Sequence, residues 1–177
     1  MSIGKKLKEK CREFLFNHLG NEGRAKHLYR LKGVRIGQGG EVYKGVNFGS
    51  EPYLITLGDH VRVTAGVQFT THDGGLWVTR NLGRGKDDDL FGRITVGNNV
   101  HIGLNAIVMP GVTIGSNVII GCGAVVTRDI PDNSVAVGVP ARVIETVDEY
   151  YEKHRHAVVG TKSMSPEEKQ AFLLKNL

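Results

Sequence analysis

Residues 96–131 read VGNNVH, IGLNAI, VMPGVT, IGSNVI, IGCGAV and VTRDIP when the chain is cut every six residues. Each of these blocks begins with Val or Ile, and four of the six have Gly in second place. The same frame recurs upstream in IGQGGE (36–41), LGDHVR (57–62), VTAGVQ (63–68) and FTTHDG (69–74). A period of six fits neither an α-helix nor a simple alternating strand. It predicts short β-strands joined by tight corners, where Gly and Asn tolerate positive φ.

Three such strands would close one triangular coil of about eighteen residues, and stacked coils would share one aliphatic core. The composition agrees, because 24 of the 177 residues are Gly, roughly twice the usual share of about 7%. Hydrophobic residues make up 40% of the chain and charged residues 23%, as in ordinary globular proteins. We therefore predict an all-β solenoid over residues 33–144, between an N-terminal basic helical segment (1–32) and a C-terminal helical tail (145–177).

Both ends of the chain have helical patterns. Near the start, apolar residues recur at helical spacing, with lysines largely on the other faces; these residues are Leu7, Cys11, Phe14, Leu15, His18 and Leu19. This helix could pack on the coil, or it could dock on a membrane surface or a partner. In the tail, Ser165-Pro166-Glu167-Glu168 has the pattern of a capping box, which predicts a helix from Pro166 onward.

The net charge of +5 comes from the N-terminal segment, since residues 1–32 hold nine basic and three acidic side chains. The repeat region holds nine of each, which argues against a nucleic-acid-binding surface. Cys11 and Cys122 lie too far apart for a CxxC metal pair and form no disulfide framework. The chain also lacks a long apolar stretch and a signal-peptide pattern. We expect a soluble cytoplasmic protein.

The repeat breaks once, at about residues 73–93, before it resumes at Ile94. An insertion of this length must leave the coil as a protruding loop, and such loops often carry function. Trp77 and Arg80 in this loop are candidate substrate-binding residues, and His72 lies at its root. A loop that only covers a neighbouring subunit is the simpler alternative, and both roles are compatible.

The hexads over about residues 33–145 resemble the hexapeptide-repeat acyltransferases, whose fold is a left-handed parallel β-helix. The similarity is greatest to sugar and xenobiotic O-acetyltransferases of the maltose/galactoside and capsular or lipopolysaccharide types. In that family the histidine before the protruding loop is the general base, and TTHDGG matches this position at His72. A sugar hydroxyl needs such a base to attack a thioester, and the second imidazole nitrogen needs an orienting acceptor. Glu51 and Asp73 are the two candidates for that acceptor.

The same resemblance implies acetyl-CoA as the co-substrate, no metal, and a homotrimer with active sites between subunits. The string PGVTIGSNVIIGCGAVVTRDIPDNSVAVGVPARVI (110–144) carries most of the expected coenzyme contacts. Thr127 and Arg128 match the family's Thr-Lys pair, and Arg142 matches a phosphate-contacting position. His101 stands where many relatives have Trp beside the thioester. The full set of expected cofactor-binding residues is His101, Gly103, Cys122, Gly123, Thr127, Arg128, Pro140 and Arg142.

These patterns favour an acetyl-CoA-dependent O-acetyltransferase that acts on a sugar hydroxyl of a saccharide or a surface-polysaccharide precursor. N-acetylation of an amino sugar and a non-catalytic β-helix scaffold are the alternatives. The γ-type carbonic anhydrases share the fold but need three convergent histidines. His60 and His72 are twelve residues apart, and His101 follows His72 by 29, so neither spacing matches a coil.

Overall fold

The computed structural model describes Phe14 and residues 18–176. Four helices are present in this part of the chain: α1 (Asn21–Lys32), α2 (Leu76–Asn81), α3 (Val147–His154) and α4 (Pro166–Asn176). The strands are β1 (Arg35–Ile36), β2 (Glu41–Val42), β3 (Ile55–Leu57), β4 (Arg62–Val63), β5 (Gln68–Phe69), β6 (His72–Asp73), β7 (Leu90–Phe91), β8 (Ile94–Val96), β9 (Val100–Ile102), β10 (Ile107–Val108), β11 (Thr113–Ile114), β12 (Val118–Ile120), β13 (Val125–Val126), β14 (Ser134–Val137) and β15 (Arg142–Thr146). A turn of 3-10 helix spans Pro52–Leu54.

The short strands stack into three parallel sheets, which form the three faces of a β-helix. The first face has the order β1-β3-β8-β11, and the third face has β5-β10-β13. The second face runs β2-β4-β9-β12-β14 and ends with β15, which pairs antiparallel to β14. Val100 pairs with Val118 and Ile107 with Val125, so equivalent positions lie eighteen residues apart. The three-strand coil predicted from the hexads is therefore present.

The core consists of the residues that begin each hexad. Their side chains are at most 2% exposed, and they are Val96, Ile102, Val108, Ile114, Ile120 and Val126. The fifth positions are also buried. Burial of each such Val or Ile side chain contributes about 1.5–3 kcal/mol to folding. The six-residue period of the sequence therefore arises because two side chains of each hexad, the first and the fifth, point into the core.

Close approach of consecutive coils explains the glycine in second place. A Cβ at Gly97 would lie 2.7 Å from the carbonyl carbon of Gly115, and one at Gly103 would lie 2.6 Å from the amide nitrogen of Cys122. No side chain fits at these distances. At the corner between the first and second faces, Asn99 adopts a φ of 54° and its amide donates to Asn117 Oδ1 at 2.9 Å.

Helix α1 lies against the first coil. Ala25 is buried, and Arg24 is only 5% exposed. Arg24 Nε donates to the Val42 carbonyl at 2.7 Å, and the guanidinium also contacts the Leu19 carbonyl and the Asn21 side chain. Helix α1 lies within the basic segment 1–32 predicted to be helical, but C-terminal to the apolar spacing of Leu7 to Leu19, and most of its residues are charged or polar. The helix predicted over Leu7 to Leu19 falls largely outside the described residues, although Phe14 and His18 are both helical.

The chain divides into two compact units, Met1–Val147 and Asp148–Leu177. In the second unit the predicted capping box is confirmed: the Glu168 amide donates to Ser165 Oγ at 3.2 Å, and the Ser165 amide donates to Glu168 Oε2 at 2.8 Å. Among the described residues, no helix combines the length and apolar character needed to cross a bilayer.

Candidate active site

His72 lies where the chain leaves the β-helix, at the corner between the third and first faces. It begins strand β6, which pairs antiparallel with β7, so His72 is opposite Phe91. The Gly92 amide donates to the Thr71 carbonyl at 2.8 Å and closes the root of this hairpin. The loop predicted at about 73–93 is therefore a β-hairpin with α2 between its strands. His72 stands at its base with 46% of its side chain exposed.

One oxygen of Glu51 connects His72 to the coil below. His72 Nδ1 donates to Glu51 Oε2 at 3.1 Å. Thr71 Oγ1 and Ser50 Oγ donate to the same oxygen at 2.9 and 3.0 Å. Asn47 and Gln68 form a parallel β-bridge, which aligns the segment before Glu51 with the segment before His72. Glu51 therefore lies beside His72. Of the two acceptors that the sequence offers, the structure places Glu51 on the imidazole.

The environment of Glu51 keeps its carboxyl group ionised. Burial raises its pKa, but hydrogen bonds from Thr71 and Ser50 and the nearby His72 outweigh this effect, and the pKa ends below its ordinary value. An ionised carboxylate only accepts hydrogen bonds. In the neutral imidazole, an Nδ1 that donates to this carboxylate carries the proton, which leaves the lone pair on Nε2. That is the arrangement a general base requires.

Asp73 has a different partner. Its Oδ1 accepts a hydrogen bond from the Gly75 amide at 2.8 Å and stabilises the turn that leads into α2. Adjacent residues on a strand point to opposite sides, which separates Asp73 from the contacts of His72. The geometry therefore gives Asp73 a local role in the hairpin.

The two candidate substrate-binding residues both lie on α2. Trp77 is 69% exposed. The Arg80 guanidinium is engaged within the hairpin, where Nη1 donates to Asp89 Oδ1 at 2.9 Å and to the Asp88 carbonyl at 2.6 Å. Phe91, which the sequence analysis did not select, has its ring centroid 6.1 Å from that of His72 and is half-exposed. Phe91 lies opposite His72 because β6 and β7 pair antiparallel, and the sequence alone does not show this pairing.

Three of the expected cofactor-binding residues meet at the corner between the second and third faces. Gly103 lies against the backbone of Cys122 on the next coil, and the Cys122 thiol is exposed. The Gly123 amide donates to the Leu104 carbonyl at 2.7 Å. A Cβ on Gly123 would contact nothing within 4 Å, so its backbone is bare at the surface. Cys122 and Gly123 form the exposed part of this corner, and Gly103 is buried beneath them.

Pro140 and Arg142 lie above this corner, whereas Thr127 and Arg128 lie on the corner between the third and first faces, in register with Thr70 and Thr71. Thr127 and Arg128 follow β13 and are both exposed. Pro140 and Arg142 belong to the connection from β14 into β15, where Arg142 Nη1 donates to the Ala141 carbonyl at 2.8 Å. The two guanidinium groups thus supply positive charge near the end of the β-helix.

His101 lies on the second face, in a cleft of about 400 Å³. Burial lowers its pKa, and the charge of the neighbouring Arg62 lowers it further. Arg62 is held by Glu41, with contacts of 3.0 and 3.1 Å. The cleft is lined by Gly39, Glu41, His60, Arg62, Asn99, Val100, His101, Asn117, Val118, Ile119 and Val147.

Within one chain, these groups do not form a single site. His72 stands at the corner between the third and first faces, whereas His101 lies on the second face and Gly103 at the corner beyond it. Among the described residues, no group of three His, Cys, Asp or Glu side chains could hold a metal ion.

Comparison with known proteins shows to which protein family this chain belongs. Residues 93–128 match the family model described as bacterial transferase hexapeptide (six repeats). The chain is 51% identical to Protein CapG of Staphylococcus aureus over 127 residues, which covers 72% of this chain and 73% of CapG. It is 34% identical to the galactoside O-acetyltransferase of Escherichia coli (strain K12) over 166 residues, covering 82% of this chain and 80% of that protein.

A solved structure of galactoside acetyltransferase in complex with coenzyme A superposes with a TM-score of 0.59 and 29% identity, covering 86% of each chain. The chain therefore belongs to the hexapeptide-repeat transferase family, within its acetyltransferase group, and is an acyltransferase. The predicted fold class, a left-handed parallel β-helix with flanking helices, is confirmed.

Proposed function

We propose that this protein is an acetyl-CoA-dependent O-acetyltransferase that acts on a sugar hydroxyl of a saccharide or surface-polysaccharide precursor. The observation that carries the proposal is the His72–Glu51 pair, 3.1 Å apart at the root of an exposed hairpin. Two relatives support the acetyl group and the saccharide acceptor, since one is a galactoside O-acetyltransferase and a solved galactoside acetyltransferase binds coenzyme A. The cysteine usage is in keeping with a cytoplasmic location.

In this mechanism His72 Nε2 accepts the proton of the acceptor hydroxyl while the hydroxyl oxygen attacks the thioester carbonyl carbon. Backbone amides stabilise the resulting oxyanion. When the intermediate collapses, the carbon–sulfur bond breaks and the thiolate takes the proton from His72. Glu51 keeps the imidazole oriented and stabilises its transient positive charge.

The coenzyme would lie along the corner of Gly103, Cys122 and Gly123, with Pro140 and Arg142 above it, while Thr127 and Arg128 would reach it from the corner that carries His72 on the neighbouring subunit. The backbone of Cys122 and Gly123 is exposed there, and the guanidinium groups of Arg128 and Arg142 suit phosphates. Pro140 holds the connection that carries Arg142. Because His72 is on another corner of the same chain, the site would form between subunits of a homotrimer, with His72 of one chain facing the groove of the next.

The test is thiol release from acetyl-CoA with a panel of neutral sugars, amino sugars and sugar nucleotides. His72→Ala should lower kcat by about 10²- to 10⁴-fold, the usual contribution of a general base. His156→Ala, which removes an exposed histidine of the tail, is the matched control and should retain full activity. Wild-type turnover by the His72 variant would refute the assigned base. Transfer to amino groups alone would identify the enzyme as an N-acetyltransferase.

A further inference from the structure

Thr71 precedes His72 and is fully buried. Its hydroxyl carries a single proton, which it donates to Glu51 Oε2 at 2.9 Å. A buried hydroxyl without a partner would cost the free energy of its desolvation, so this bond is strongly favoured in the folded state. The position of Glu51 is thereby set by a residue of the coil itself.

The segment around Glu51 has few buried contacts that would fix the carboxylate. Gly49, with a φ of 66°, and the exposed Ser50 precede Glu51, and the 3-10 turn that begins at Pro52 follows it. Ser50 Oγ reaches the same carboxylate oxygen at 3.0 Å, but it does so from the solvent side. Thr71 therefore supplies the buried contact of the cluster.

We propose that Thr71 is a positioning residue, whose buried hydroxyl holds Glu51 so that His72 keeps its proton on Nδ1 and presents Nε2 to the acceptor. The inference rests on the proposed function and deepens it. Three donors converge on Glu51 Oε2, from Ser50, Thr71 and His72. A carboxylate that is free to rotate would leave the imidazole to exchange its two neutral tautomers. Only the Nδ1–H form can act as the base in this geometry.

The first test uses two substitutions of nearly equal size. Thr71→Val keeps the shape of the side chain and removes the hydroxyl, whereas Thr71→Ser keeps the hydroxyl. We expect Thr71→Val to lower kcat about tenfold, equivalent to one lost hydrogen bond to a charged group, with an unchanged KM for acetyl-CoA. Thr71→Ser should stay within about twofold of the wild type. Equal activity of the valine variant and the wild type would overturn the proposal.

A double-mutant cycle with Glu51→Gln separates positioning from general damage. If Thr71 acts through Glu51, then Thr71→Val should change kcat by less than about twofold in the Glu51→Gln background. The same tenfold loss in both backgrounds would show that Thr71 does not act through the carboxylate.

The imidazole ¹⁵N shifts of His72 give a readout that needs no turnover. The wild type and Thr71→Ser should show the Nδ1–H tautomer, and Thr71→Val a mixture of tautomers. If no acceptor is acetylated by the wild type, the proposed function fails, but these shifts still decide the role of Thr71. An unchanged tautomer in Thr71→Val would refute that role even in an active enzyme.

Discussion

At the scale of single residues, two histidines of the β-helix have opposite environments. His72 is about half-exposed and donates to an ionised carboxylate, so its environment accommodates the positive charge that a base acquires. His101 is half-buried beside Arg62, and both burial and that positive charge lower its pKa. His101 is therefore suited to a neutral role, as a packing surface or a hydrogen-bonding group.

The lowered pKa of His101 gives the folded protein a pH-dependent stability. At a pH above 6.5, the ordinary value, the side chain is neutral both folded and unfolded. As the pH falls below 6.5, the unfolded chain binds a proton that the folded chain resists, so the free energy of unfolding decreases. His101→Leu should reduce the loss of stability between pH 7.5 and about pH 5.5, measured by urea unfolding. His156→Ala is the control, and an equal loss in His101→Leu would contradict the environment described.

At the scale of elements, the hairpin formed by β6, α2 and β7 is attached to the coil but adds nothing to its core. None of its side chains between Gly74 and Asp89 is buried. Large apolar side chains are exposed along it, namely Trp77, Val78, Leu82, Leu90 and Phe91. An element with this composition is suited to contact with another molecule, and the pairing of β6 with β7 places that surface beside His72.

Replacement of residues 74–89 by Asn-Gly should therefore separate function from stability. Asn-Gly forms the two-residue turn that joins antiparallel strands, so the pairing of His72 with Phe91 can persist. We expect the thermal midpoint to change little, and the KM for the sugar acceptor to rise about tenfold, equivalent to one lost contact. Slow hydrolysis of acetyl-CoA in the absence of acceptor should be unaffected. A large fall in the midpoint, with an unchanged acceptor KM, would instead assign the hairpin a structural role.

The hexads predicted the faces of the β-helix because each carries two buried positions, and most of them place a glycine where consecutive coils approach closely. They also marked the hairpin, since an insertion interrupts a strict period. The contacts of Glu51 with Thr71 and His72 could not be predicted in the same way. They join positions 20 and 21 residues apart, because the first coil is 21 residues long and not eighteen, as the pairing of Ile36 with Leu57 and of Asn47 with Gln68 shows. The sequence offers Glu51 only as one of two acidic candidates for the acceptor of His72.

At the scale of the whole molecule, the distribution of groups over one chain has a direct consequence for assembly. His72 and the proposed cofactor groove of Gly103, Cys122 and Gly123 lie on different corners of the same β-helix, so the proposed site needs a second copy. In a cyclic trimer each chain would give its histidine to one neighbour and its groove to the other. Two differently inactivated chains could then restore activity together.

This expectation can be tested by co-expressing His72→Ala with Cys122→Trp, whose indole would fill the groove beside Gly103. The two chains carry different tags, so tandem purification isolates mixed trimers only. Whatever the ratio of the two chains, one of the three interfaces pairs an intact His72 with an intact groove. The mixed trimers should therefore show about one third of the wild-type rate, although each variant alone is inactive.

The control is the same purification with His72→Ala on both tags, which contains no intact histidine and should remain inactive. Light scattering of the purified complexes should give the mass of three chains. Inactive mixed trimers would show that each β-helix contains its whole site, with His72 reaching the groove of its own chain. A third of the activity, in contrast, would require that the acceptor is deprotonated by one subunit while the acetyl group is held by the next.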